Sequence, residues 1–178
     1  MSPSWHRAWI GLGSNLDAPQ EHVERALEEL DHLPLTRRIA ASRCYASAPL
    51  GPADQPDYIN AVAQLATRLS PLALLDQLQA LEQRHGRVRG RHWGPRTLDL
   101  DLLLFDERRI RLARLTLPHP EMLQRAFVLV PLAELAPDLL IEGRLAAQWV
   151  ADLDASEPGS VLPRCQEALA LLPIDTRA

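Results

Sequence analysis

Lysine is missing altogether: the 178-residue chain carries 19 basic residues, and every one is arginine. This excludes a Walker-A phosphate loop, whose lysine reaches the β- and γ-phosphates. It equally excludes the lysine–glutamate pair of a protein kinase and Schiff-base chemistry on a lysine amine. Any anion must be held by arginine, histidine, backbone N–H groups or a metal. Cysteine is nearly as scarce, and Cys44 and Cys165 are too few for a disulfide scaffold or a zinc site. No run approaches the ~20 apolar residues of a membrane helix. Met1 to Asn15 has no charged-then-apolar signal pattern. A net charge of −4 leaves no basic excess for coating nucleic acid. These absences together predict a cytoplasmic protein with no membrane attachment and no nucleic-acid partner.

What is present is an ordinary globular balance, 47% hydrophobic and 24% charged, in a length that suits one domain. Arg7 to Gly13 reads as a strand running into the Gly-Ser-Asn turn. After Pro19, Val23, Ala26, Leu27 and Leu30 recur at helical spacing. Thr36 to Tyr45 reads as one strand, the three prolines of 49–56 as a loop, and Tyr58 to Arg68 as the next strand. Ser70-Pro71 is a helix start, with Leu74, Leu78 and Leu81 as the buried stripe and Gly86 as the stop. Thr97 to Phe105 is a strongly apolar strand, with a short strand over Arg109 to Leu112 expected beside it. Apolar segments run from Phe127 to Leu140, and a peripheral extension starts near Leu145. The order strand, helix, strand, strand, helix, strand predicts an α+β fold with a ferredoxin-like antiparallel sheet core.

Chemistry concentrates in one stretch. Asp99 and Asp101 lie two apart on a strand, so both carboxylates project to one face, with Leu98, Leu100, Leu102 and Leu104 on the other. Like charges so close ask for a divalent cation or several arginines, unless the pair simply faces water at the strand end, and such a pair suits Mg²⁺ shared with substrate phosphates. Just upstream lie Arg84, Arg87, Arg89, Arg91 and Arg96, and no acid separates Glu82 from Asp99. With Gly86, Gly90, Gly94 and Pro95 among them, these arginines read as a mobile loop closing over an anion. Arginines for phosphates beside aspartates for a metal is the division of labour that phosphoryl transfer needs. Trp93 in that loop could stack on a planar ligand. Tyr58 and Asn60 could present a ring and an amide to a heterocycle. Gln79 and Glu82 are neighbours on a helix face. Gly11 and Gly13 make no dinucleotide fingerprint, because Leu16 fills the third glycine's place. A Gly-x-Ser-x-Gly hydrolase elbow is absent as well.

The run Trp93-Gly-Pro-Arg-Thr-Leu-Asp-Leu-Asp-Leu-Leu-Leu resembles the signature of the hydroxymethyl-dihydropterin pyrophosphokinases of folate biosynthesis. Gly13-Ser-Asn-Leu, Pro49-Leu-Gly-Pro, Asp54-Gln-Pro-Asp-Tyr-Ile-Asn, Gly86-Arg-Val-Arg and Leu115-Thr-Leu-Pro-His resemble the family in the same order. The resemblance implies a three-layer α/β/α arrangement and a domain over residues 1–152. Residues 153–178 would be a C-terminal extension packed on, or trailing from, that domain. It implies an ATP-dependent diphosphotransferase that moves pyrophosphate from ATP to the hydroxymethyl group of 6-hydroxymethyl-7,8-dihydropterin and releases AMP. Two Mg²⁺ ions would sit on Asp99 and Asp101, and Arg87 and Arg96 would clamp the phosphates. Gln79, Glu82, Arg89, Trp93, Arg114, Thr116, His119 and Arg125 match positions around ATP. Tyr58 and Phe127 would sandwich the pterin, Asn60 with the backbone of Ser47 and Leu50 would read its polar edge, and Trp93 would close over it. The enzyme is expected to be a monomer.

The sequence departs from the family's best-known members at Ser47-Ala48 (in place of Thr-Pro) and at Pro120 (in place of an aromatic). The loop between Arg89 and Trp93 is one residue shorter than in some members. On the residues alone, two rival readings stand beside this one. One is an RNA-binding module that stacks bases on Trp93 and arginines. The other is a kinase transferring only the γ-phosphoryl group, which the residues by themselves do not separate from pyrophosphoryl transfer.

Overall fold

A computed structural model describes residues 4–48, 56–86, 97–156 and 161–163, the last three of 97–156 and all of 161–163 as backbone only. Its central strand is β1 (His6–Ser14), which pairs antiparallel with both β4 (Tyr58–Thr67) and β5 (Asp99–Phe105). On the far side of β4 lie β2 (Thr36–Ala41) and β3 (Tyr45–Ser47), both antiparallel to it. The order β5–β1–β4–β2/β3 is the ferredoxin-like arrangement expected from the element order.

Helix α1 (Pro19–Leu30) buries Val23, Ala26, Leu27 and Leu30, the stripe its periodicity predicts. Helix α2 (Pro71–Arg84) begins at Ser70, whose side chain accepts from the Ala73 N–H at 3.2 Å. Gly86 follows the helix with φ +74°, the left-handed geometry that a C-terminal glycine supplies without steric cost. Both helices cover one face of the sheet, where Leu27, Leu30, Leu74, Leu78 and Leu81 pack on Ala8, Ile10, Leu65, Leu100 and Leu102. The other face carries α3 (Ala126–Leu135) and α4 (Ala146–Ser156) over Trp9, Val62, Leu103 and Leu104. Three layers result, helices on either side of one sheet.

Several expectations need correcting. The strand expected over Thr36 to Tyr45 is two strands. β2 shifts register against β4 between Arg38 and Ala40, and Ser42 then binds Val62 through its backbone N–H (2.8 Å) and its hydroxyl (2.9 Å). Both strands still add to β4, so the topology survives the break. The strand expected at Arg109 to Leu112 does not join β5. It is β6 (Ile110–Arg111), in a hairpin with β7 (Thr116–Leu117). Leu104 does not face the same way as Leu100 and Leu102, because a register shift between Trp9 and Ile10 turns it into the opposite core. A small hairpin, β8 (Leu140–Ile141) with β9 (Arg144–Leu145), leads into α4. Beyond α4, β10 (Val161–Pro163) pairs with β3, an element no sequence signal announces.

Candidate active site

The site is built on one rung of the sheet. Gly13 of β1 is paired with Asn60 of β4 on one side and Asp99 of β5 on the other, while Asn60 is paired in turn with Tyr45 of β3. Residues on one rung project to one face, so Asn60 and Asp99 stand on either side of a residue without a side chain. Two interstrand spacings put their backbones roughly 10 Å apart. The next rung on that face is Val62–Gly11–Asp101. Glycine thus floors the strip beside both aspartates. A Cβ on Gly13 would lie 3.3 Å from Asn60 Oδ1 and 3.6 Å from Tyr58 Cδ1, so the polar groups close in to a distance that any larger residue would contest.

The strand ends supply the rest of this group. Asn60, 3% exposed, donates from Nδ2 to Ser47 Oγ at 2.7 Å. This fixes the amide and directs Oδ1 toward Gly13. Ser47 is itself paired with Tyr58 across β3 and β4. Asn15, buried at the end of β1, donates to the Pro56 carbonyl at 3.1 Å and ties the approach to β4 in place. Phe127, the second residue of α3, packs against the core on the same face, with the Arg125 guanidinium 5.5 Å from its ring centroid. Ser47, Tyr58, Asn60, Asp99 and Asp101 are therefore gathered at one end of the sheet, with Phe127 on the helix that covers that face.

A second group lies along α2 and the segment after β5. Arg114 donates to Asp76 at 2.5 Å and to Gln79 at 3.3 Å. Thr116, two residues on, is exposed in β7. The His119 N–H donates to the Leu103 carbonyl at 2.9 Å, and His119 Nδ1 accepts from the Glu121 N–H at 3.3 Å. Arg125 pairs with Glu121 one turn away. Glu82 is buried at the end of α2. The Thr97 hydroxyl, two residues before Asp99, is buried without a hydrogen-bond partner among the described residues. Leu50, Arg87, Arg89, Trp93 and Arg96 lie outside the described residues.

Among the described residues no cluster of three or more histidine, cysteine, aspartate or glutamate side chains could enclose a metal. Two carboxylates on one strand face are a donor set of the other kind, suited to Mg²⁺ that takes its remaining ligands from phosphate and water. Sequence reasoning missed Gly13 as a structural requirement, as well as Asp76 and Glu121. The period-two spacing of Gly11 and Gly13 in a strand was the available signal for the first. A separate open cavity of about 790 Å³ lies at the opposite end of β1 and β5, lined by Arg7, Trp9, Asp106, Arg108 and Glu142 among others. None of the expected site residues lines it.

The family model for 7,8-dihydro-6-hydroxymethylpterin-pyrophosphokinase matches residues 9–137. The chain is 58% identical over 146 residues to the 2-amino-4-hydroxy-6-hydroxymethyldihydropteridine pyrophosphokinase of Pseudomonas aeruginosa, covering 82% of this chain and 90% of that one. It is 54% identical over 134 residues to the protein of the same name in Haemophilus influenzae, covering 75% and 84%. Among solved structures, the wild-type Plasmodium falciparum HPPK-DHPS crystallised with pteroate superimposes with a TM-score of 0.70 at 12% identity. That match covers 87% of this chain but only 43% of the longer one, and it is a likeness of fold alone. A family model spanning most of the chain, with relatives this similar over most of their own length, establishes that the protein belongs to the 7,8-dihydro-6-hydroxymethylpterin pyrophosphokinase family.

Proposed function

We propose that the glycine-floored rung is where this enzyme brings its two substrates together. The activity follows from the family: the chain transfers pyrophosphate from ATP to the hydroxymethyl group of 6-hydroxymethyl-7,8-dihydropterin, releasing AMP, in folate biosynthesis. The residue roles are our reading. The observation that carries them is the rung itself, with the Asn60 amide and the Asp99 carboxylate on one face and only Gly13 between.

In this reading Tyr58 and Phe127 hold the pterin between their rings. Asn60, its Nδ2 committed to Ser47, presents Oδ1 to a ring N–H, and the backbone of Ser47 and Leu50 completes the polar edge. Gln79, Glu82, Arg89, Trp93, Arg114, Thr116, His119 and Arg125 surround ATP, and Trp93 also closes over the pterin. Asp99 and Asp101 would hold two Mg²⁺ ions. When bound, those ions neutralise charge on the phosphates during transfer. Arg87 and Arg96 would clamp the transferred phosphates. No side chain is needed as a strong base, since alignment of the hydroxymethyl oxygen with the β-phosphorus supplies most of the rate. The pairs Arg114–Asp76 and Arg125–Glu121 would open as nucleotide arrives, exchanging a carboxylate for a phosphate or ribose oxygen.

We place the enzyme in the cytoplasm as a monomer, with its catalytic domain in residues 1–152 and an extension in 153–178. In support, no described helix is long and apolar enough to cross a membrane. The direct test is nucleotide analysis after incubation with ATP, Mg²⁺ and the hydroxymethyl dihydropterin. AMP is expected; ADP would show γ-phosphoryl transfer and defeat the reading.

A further inference from the structure

At the end of α2 lies a group of side chains with no part in the scheme above. His85 caps the helix with its side chain 1% exposed, and both of its ring nitrogens are engaged by α1. Nε2 is 3.0 Å from Glu29 Oε1. Nδ1 is 2.7 Å from His22 Nδ1 and 3.1 Å from the Arg25 guanidinium. Arg25 also pairs with Glu29 at 3.3 Å.

These contacts dictate where the protons sit. A carboxylate only accepts, so Nε2 of His85 carries hydrogen. A guanidinium only donates, so Nδ1 of His85 is bare and accepts. The Arg25 guanidinium lies nearer His85 Nδ1 than His22 Nδ1 (3.1 against 3.4 Å), which assigns His22 Nδ1 as the donor across the 2.7 Å contact. The result is a directional chain from His22 through His85 to Glu29. One extra proton can rest on the outer nitrogen of half-buried His22 without disturbing it. A second would place two N–H groups head to head between the rings.

We propose that His85 is a positioning residue for pyrophosphoryl transfer, locking the last turn of α2 to α1 through His22 and Glu29, and that a second proton on the histidine pair unlocks it. This rests on the functional reading above. The locked turn carries Glu82, assigned to the nucleotide, and the chain continues from His85 through Gly86 to Arg87. The charged or titratable groups facing His85 from α1 are His22, Arg25 and Glu29. β5, also packed on α2, turns Leu98, Leu100 and Leu102 to the shared core, with Asp99 and Asp101 on the opposite face. Burial pushes the His85 imidazole below its ordinary value, only partly opposed by Glu29 and helped by Arg25 and His22, which favours the neutral ring that the lock needs.

The test has two arms. In His22→Gln the amide can donate to a neutral His85 and, turned over, accept from a protonated one, so acid no longer sets these two side chains head to head, although Arg25 still faces Nδ1. Between pH 7.5 and 5.5, wild-type kcat should fall about tenfold more than that of the variant, the size of a coupling of one pK unit. A side chain with only a packing role would leave the two profiles parallel, which would overturn the proposal. In the second arm, long-range ¹H–¹⁵N spectra of histidine-labelled wild type should show His85 as the neutral Nε2–H form at pH 7.5. The Nδ1–H form or an imidazolium there would overturn it too. Absence of AMP from the wild type would instead defeat the functional reading and leave the spectra to decide the lock.

Discussion

Asp99 stands directly across the β1–β5 ladder from Gly13. Replacing the aspartate's neighbour by any residue with a side chain would therefore intrude on the strip between carboxylate and amide. In Gly13→Ala the new methyl lies 3.3 Å from Asn60 Oδ1, and that amide is pinned by Ser47. Overpacking of this kind costs on the order of 1–2 kcal/mol. The expected result is a pterin KM raised about tenfold with kcat changed less than about threefold. Steady-state kinetics at saturating ATP would show it, and an unchanged pterin KM would remove the rung from the binding site.

The two aspartates answer to a different measurement. Asp99→Asn and Asp101→Asn keep the shape of the strand face and remove its charge. Each should reduce Mg²⁺-dependent turnover by at least ~100-fold, since a metal at the transferred phosphates is worth several kcal/mol. Wild-type rates in both variants would refute the metal assignment.

Arg96 is assigned to the transferred group, so its effect should fall on the transition state. Arg96→Ala is expected to lower kcat by about 10²–10³-fold while pterin Kd moves less than about threefold. Comparable losses in both, read by single-turnover kinetics and by titration, would make it an ordinary binding residue.

Acid should destabilise the fold through His85. The folded state holds this imidazole below its ordinary value of 6.5, so the unfolded chain takes up a proton first as pH drops. The stability that the neutral ring contributes is complete above about pH 6.5 and is lost on acidification through the depressed folded value. Thermal unfolding from pH 7.5 to 5 should show a steeper fall in Tm for the wild type than for His85→Gln. Equal slopes would mean that the buried ring does not titrate with unfolding.

Sequence legibility followed the reach of each signal. Helix α2 was readable to the residue because its marks are local, a serine cap, a proline, leucines at helical spacing and a glycine stop. The aspartate pair was readable because period-two geometry is also local. The split of β2 from β3 was not, since it depends on a register shift against β4, about two dozen residues later. Likewise β6 was placed beside β5 because nothing in its few residues says that Thr116 and Leu117 compete for the same backbone groups. Within the site, the family motifs named Ser47, Tyr58, Asn60, Phe127 and the aspartates, and the fold gathers them at one end of one sheet face. His22 and Glu29 carried no signal, because their meaning comes only from a helix packed beside them.

The pairing of β10 with β3 has a bearing on solubility. A strand at the margin of a sheet offers unpaired N–H and C=O groups that can recruit a strand from another molecule. Val161 to Pro163 occupy that margin along Tyr45 to Ser47, and Pro163 ends the added strand with a residue that has no N–H to extend the ladder. The added strand thus covers the β3 margin. A chain cut after Ser156 would bare the β3 margin and should assemble into higher-order species at concentrations where the full-length protein does not.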